Sequence, residues 1–199
     1  MALSGSYPSA AKKSGQLRTT GQVGRASIDT SKFHASVRAL FTYWQRIHPP
    51  EGLPGRKHFD PAAVVPLLPN IVLVEVQREP LRFRYRLLGS RVDSVAGKNL
   101  SGQWLDEAYA AFPNASVMLA EYAKVVETGR PTWRRGEPRV SPVPECRTIE
   151  VLRLPLASNG NTIDMVLCMT LYFDAAGRPL ESIAYRALGY GSAETARLR

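Results

Sequence analysis

The amino-acid sequence predicts an α+β fold: a five-stranded antiparallel sheet with helices on one face and an N-terminal amphipathic helix. Three observations lead there. A helical apolar stripe opens at Phe33, five β-prone segments follow in a group of two and a group of three, and helical pieces separate the groups. That order demands one antiparallel sheet with helices laid against it.

The N-terminal helix comes first. Phe33, Val37, Leu40, Trp44 and Ile47 recur at steps of four and three with Phe41 beside them, which is one face of a helix. Asp29, Thr30 or Ser31 is placed to cap it, and Pro49 and Pro50, lacking amide hydrogens, end it near Ile47 or His48. An irregular connector from Pro54 leads to a short helix near Pro61 to Leu67, with Asp60 as its cap and Pro69 closing it.

The first strand pair is Ile71 to Val76 and Arg82 to Leu88, a hairpin turning around Glu79 and Pro80 and ended by Gly89. Phe83, Tyr85 and Leu87 alternate with Arg82, Arg84 and Arg86. Gly97 and Gly102 punctuate short helical pieces before Trp104 to Tyr109. A longer helix starts at Asn114, carries Val117, Met118, Tyr122, Val125 and Val126, and stops at Thr128, Gly129 and Pro131. The remaining strands are Thr132 to Val140, Arg147 to Leu156 and Ile163 to Phe173, the last two joined through a turn at residues 158–161. The last is the most β-prone and reads as a central strand. Pro179 to Tyr190 reads as either a sixth extended segment or a helix.

Four regions follow: a flexible basic tail (1–30), the amphipathic helix (31–48), the main domain (49–174) and a C-terminal extension (175–199). The tail is rich in Ser, Gly, Ala and Thr and has too few large apolar residues to offset its ordering entropy. It supplies +3 of the formal charge of +9, so +6 is spread over residues 31–199.

Composition excludes several classes. With 44% apolar and 22% charged residues the chain is ordinary globular protein. No apolar run approaches the ~18 to 20 residues that span a bilayer, and the N-terminus lacks the apolar region of an export signal. Cys146 and Cys168 form no CxxC pair and have no His-rich partner, so neither a disulfide framework nor a metal site is predicted, and a cytoplasmic location is expected. Neither GxSxG nor GxxxxGK[ST] occurs. Asp106 with Glu107, and Glu145 with Glu150, read as surface carboxylates. No enzyme activity is predicted.

Several short motifs follow one another along the chain: Trp44, Pro54-Gly55-Arg56, Asp60-Pro61, Leu67-Leu68-Pro69, Phe83-Arg84-Tyr85-Arg86-Leu87-Leu88-Gly89, Gly97-Lys98-Asn99-Leu100-Ser101-Gly102, Leu154-Pro155-Leu156 and Ile163-Asp164-Met165. Their order, together with the order of elements, resembles the PAS domain, in a proteobacterial PAS-like subfamily of short stand-alone sensors. The resemblance covers about residues 40 to 173 and implies a sensory fold without naming a ligand. Haem-binding relatives commonly use a histidine on the long helix, where this chain has none; His34, His48 and His58 all lie upstream of the sheet. The photochemical flavin motif carries a cysteine where this chain reads Gly97 to Gly102. No cofactor is predicted, and haem and covalent flavin are both argued against.

If a small ligand is bound, the resemblance places it between the sheet and its covering helices. Tyr85, Trp104, Tyr122, Trp133, Met165 and Met169 are the candidate lining, with core packing the alternative role for the same residues. Arg56 and Arg153 are the candidate polar readers, because an inward-pointing guanidinium must be paired or must meet an anion. The stripe Phe33, Val37, Leu40, Phe41, Trp44 and Ile47 is the candidate homodimer interface, with cover of its own sheet as the alternative.

The expected function is therefore a cytoplasmic sensory or protein-interaction module that binds a small ligand, with an anion the candidate class, and signals through a dimer or an unidentified partner protein. The competing reading is an anion or nucleic-acid binder using Arg82, Arg84 and Arg86 with the basic tail. Arg134, Arg135 and Arg139 form a second basic cluster. Nucleic acid is the minor reading, since no helix-turn-helix or RNA-binding sheet motif accompanies the arginines.

Overall fold

The five strands predicted from sequence pair into one antiparallel sheet of order β2-β1-β5-β4-β3. The computed structural model describes residues 28–97, 99–140 and 143–180. The strands are β1 (Ile71–Arg78), β2 (Leu81–Leu88), β3 (Thr132–Gly136), β4 (Thr148–Leu156) and β5 (Met165–Phe173). β5 is central, as its alternation predicts. The helices are α1 (Ala35–Arg46), α2 (Ser90–Ala96), α3 (Leu105–Ala108) and α4 (Ala115–Thr128), with a 3-10 segment over Pro61–Asn70. Most of the basic tail, most of the C-terminal extension and Lys98 lie outside the described residues, as does the Pro179 to Tyr190 segment beyond residue 180.

Local chemistry sets the ends of these elements. Asp60 caps the 3-10 segment by accepting from Ala62 N at 2.9 Å, and Pro61 holds its first position. Gly97 and Gly129 end α2 and α4 in the left-handed conformation. Asn114 occupies the N-cap position of α4 but makes no side-chain capping bond. β3 is shorter than predicted because Gly136 and Pro138 interrupt its ladder. β5 starts two residues late, since the Asp164 carboxylate closes the turn on Ser158 N instead. At Gly89 a Cβ would stand 2.1 Å from the Leu68 carbonyl oxygen, so only glycine lets the end of β2 cross that segment.

Register fixes two faces, because directly opposed residues point the same way. Thr132 opposes Arg153, which opposes Cys168, while Trp133 opposes Leu152, which opposes Met169. The first set faces α4, which places Glu121 and Tyr122 against Arg153. The second faces α1, whose neighbour Phe33 packs on Trp133 with ring centroids 5.2 Å apart. α1 and α4 therefore cover opposite faces of the sheet. β4 between them is buried at every residue from Ile149 to Leu156.

The helix begins later than predicted. Asp29 accepts from Ser31 N and caps a single 3-10 turn, Thr30–Lys32; His34 then caps α1, its Nδ1 accepting from Ser36 N at 3.2 Å. The expected subunit stripe is a correction. Phe33, Val37, Leu40, Phe41 and Trp44 are all buried within the one chain, and Ile47 packs half-buried against the same core. Trp44 Nε1 donates to Pro155 O at 3.1 Å. Leaving these side chains in water would forfeit about 1.5–3 kcal/mol for each large one, so the stripe is consumed by its own sheet and is not available to a second copy.

Leu40→Ala should lower the unfolding free energy by about 2–5 kcal/mol in urea titrations, whereas Val65→Ala, at a residue 57% exposed, should change it by less than about 0.5 kcal/mol. A Leu40→Ala chain of unchanged stability but altered oligomeric state would return the stripe to a subunit interface.

Candidate functional site

On the α4 side, strand parity brings charge into the interior. Arg134 and Arg153 lie on neighbouring strands with side chains on the same face. α4 sets Glu121 opposite them. Arg153 Nη2 stands 2.7 Å from Glu121 Oε2, and Arg134 Nε 3.7 Å from Glu121 Oε1. The Arg153 contact is an ion pair without hydrogen-bond alignment, so Glu121 Oε2 has no hydrogen-bond donor. Arg153 is 4% exposed, its guanidinium lies 4.8 Å from the Tyr122 ring centroid, and its Nε is without a partner. Arg139 Nε and Thr132 Oγ1 are likewise buried without partners.

The electrostatics follow. Burial lowers the Arg134 pKa; Glu121 opposes that shift, while Arg139 and Arg153 add to it. Arg134 and Arg153 thus share one carboxylate, and Arg139 adds its charge to Arg134, an excess of positive charge in a place that water reaches poorly. Around them is a tyrosine and thiol layer. The Tyr85 and Tyr109 hydroxyls are 2.9 Å apart, Phe83 packs on Tyr122 at 5.4 Å, and the Cys168 thiol donates to the Tyr122 hydroxyl at 3.7 Å. Burial, first of all, pushes the Tyr85 and Tyr122 pKa values well above the usual phenol value and that of Cys168 to about 11.

The predicted lining residues divide between places. Tyr85, Tyr122 and Arg153 share the α4 side. Met165, Met169 and Trp133 belong to the α1 side: Met165 opposes Leu156, Met169 opposes Leu152, and Trp133 Nε1 donates to Glu150 Oε1 at 3.0 Å. Trp104 sits at the β2 edge between Arg82 and Arg84, 4.3 and 5.2 Å from its ring centroid. Arg56 folds back on its own loop, over the Phe59 ring and onto Phe59 O. These five are a correction to a single lined pocket.

The β2 arginines are also largely spent. Arg82 pairs with Asp106 and Glu107, and Arg84 with Glu75. Arg86 falls at a bulge, with Leu73 opposite Leu87 and Val74 opposite Tyr85, and is exposed. Glu150, read from sequence as a surface carboxylate, is fully buried and accepts from His34 N at 2.9 Å. Glu121 is the site residue that sequence reading missed. Its signal was its place beside Tyr122 on the edge of the α4 stripe. Among the described residues no group of His, Cys, Asp and Glu could hold a metal ion, and no helix is long and apolar enough to cross a membrane.

A family model for the PAS domain matches residues 32–170. The chain belongs to the PAS domain family. No curated protein and no solved structure matches it. PAS domains serve as sensory or interaction modules, which gives this one its general class; among the described residues, buried polar atoms without a hydrogen-bond partner occur on both faces of the sheet, Arg153 Nε and Glu121 Oε2 on the α4 side and Glu150 Oε2 on the α1 side.

Cys168 should resist iodoacetamide in the native PAS domain at pH 8 and react once urea unfolds it, as peptide mass mapping would show. The folded thiol holds its proton up to about 11, against ~8.5 in an unfolded chain, so stability is retained below pH ~8.5 and declines as pH rises from there. Rapid native labelling at pH 8 would contradict this burial.

Proposed function

We propose that this PAS domain is a sensory module whose ligand is a small anion, recognised through a carboxylate or phosphate group by Arg153, Arg134 and Arg139. The observation that carries the reading is the buried Arg153 guanidinium, whose Nε has no acceptor and whose counter-ion is shared with Arg134. A buried guanidinium with idle donors is costly, and a bidentate anion relieves that cost with charge-assisted hydrogen bonds. Glu121 acts as the resident counter-ion. Its side chain is 23% exposed, at the watery end of the pair, so an incoming anion can take its place on the guanidinium. Losing Glu121 from Arg153 removes a tie between α4 and β4, and ligand occupancy is thereby converted into a change in how α4 sits on the sheet.

The ligand is held without a covalent link. Both thiols are buried, with Cys146 Sγ donating to Thr148 O and Cys168 engaged by Tyr122, which suits a reducing cytoplasm and does not suit a thiol-bound chromophore. The output leaves through a surface other than the apolar stripe from Phe33 to Ile47, which packs inside the chain.

Thermal-shift and calorimetric titrations with phosphate, succinate, citrate and AMP test this. At least one should stabilise the chain by an amount that grows with the logarithm of its concentration, reaching about 2.7 kcal/mol at a hundredfold excess over Kd. Arg134→Gln, at a half-buried site, should keep the fold and weaken that anion at least tenfold, while Arg86→Ala should leave it unchanged. Failure of all four anions to bind, or equal binding by Arg134→Gln and Arg153→Met, would overturn the reading.

A further inference from the structure

The outer side of α1 and the 3-10 segment 61–70 enclose an open groove of about 630 Å³. Along one wall run Ala35, Ala39 and Thr42, small exposed residues at helical spacing that let another backbone come close. The other wall is Ala63, Pro66 and Leu67, in a segment fixed by Pro61, Pro66, Pro69 and the Asp60 cap. That wall is preformed, so binding there costs little ordering entropy. Val65, beside it, is 57% exposed, the most of any large apolar residue among the described residues.

Charge identifies the occupant. Arg38 and Arg46 also line the groove, two turns or ~12 Å apart along α1. Among the described residues neither pairs with a carboxylate. Arg38 donates only to the Ser31 and Phe33 carbonyls at 3.3 Å, and Arg46 lies over the Tyr43 ring. An apolar trough with unneutralised cations at two ends selects apolar residues bracketed by acids.

We infer that this groove docks an amphipathic helix of a partner protein, with small and aliphatic side chains in the trough and Asp or Glu about two turns apart against Arg38 and Arg46. The chain's own remaining segments have the wrong sign: residues 1–27 hold four Lys and Arg and no Asp or Glu, and residues 181–199 hold three Arg and two Glu. A second copy packed by a two-fold axis would set these arginines against one another. This surface is on the face opposite α4 and stands independently of the anion reading.

The experiment is a selection of displayed 16-residue helical peptides on the full chain, with aliphatic residues at i, i+3, i+4 and i+7 and Asp, Glu, Lys, Arg, Ser or Ala elsewhere. Enriched peptides should be acidic at the flanks, and fluorescence anisotropy should show at least tenfold weaker binding to Ala39→Trp and to Arg38→Glu/Arg46→Glu. Both changes fall on exposed residues, so both variants should keep the parental Tm. Arg134→Gln, which removes only the anion site, should bind the peptide like the parent. No enrichment of acidic helices, or equal binding by the groove variants, overturns the inference. It is also overturned if sedimentation equilibrium shows a dimer that Ala39→Trp dissolves, or if phosphatidylglycerol vesicles, and not peptides, are lost by Arg38→Glu/Arg46→Glu.

Discussion

One strand carries two buried charges that point in opposite directions, and the two helical layers are arranged around that constraint. Glu150 and Arg153 are three residues apart on β4, so they face opposite sides of the sheet. Both are buried. A buried charge left alone would cost several kcal/mol, and each is therefore met from the layer above it. Glu150 Oε1 takes the His34 amide and the Trp133 indole N–H, with Arg135 3.7 Å from its other oxygen. Arg153 takes Glu121 and the face of Tyr122. The start of α1 is thus tied to one face and the middle of α4 to the other, through the same strand.

The two ties differ in a way that bears on function. The Glu150 tie is made of two aligned hydrogen bonds from half-buried donors to one oxygen of a fully buried carboxylate, whose other oxygen has no hydrogen-bond donor, and it joins the start of the N-terminal helix to the sheet. The Arg153 tie is a charge contact without alignment, it is shared with Arg134, and its carboxylate is the more exposed member. An anion competes readily with such a contact, because it can offer two aligned acceptors where Glu121 offers none to Arg153. On the proposed anion-sensing reading, the Glu150 face is the one that holds and the Arg153 face is the one that responds.

The fold was largely legible because its elements obey local rules. Alternation along Ile163 to Phe173 marked the central strand, Asp60-Pro61 marked a helix start, and Gly97 and Gly129 marked helix ends. The site was less legible, and the reason is burial on both faces. β4 and β5 are apolar on each side, so alternation separates the two faces of a strand without saying which one meets which helix. Met165 and Met169 were thereby grouped with Tyr122, although register puts them with Trp133 and α1. The stripe from Phe33 to Ile47 shows that a helix face is buried but not by what. Glu150 went unrecognised because its partners, His34 and Trp133, lie 116 and 17 residues away. Arg153 was singled out for a sound reason, that an inward guanidinium needs an anion; the carboxylate that meets it belongs to a helix whose apolar stripe drew attention away from Glu121.

The account rests on the Arg153 guanidinium having a donor to spare, and side-chain NMR of the arginine Nε–Hε group observes that donor directly. In the ligand-free chain the Arg153 Hε signal, assigned by its absence from Arg153→Met, should lack the downfield shift of a strong hydrogen bond. On saturation with a bound anion it should move downfield and exchange more slowly with water, while the Arg82 signal stays put. An Arg153 Hε resonance already hydrogen-bonded in the free chain, or one that no bound anion moves, would contradict the central claim.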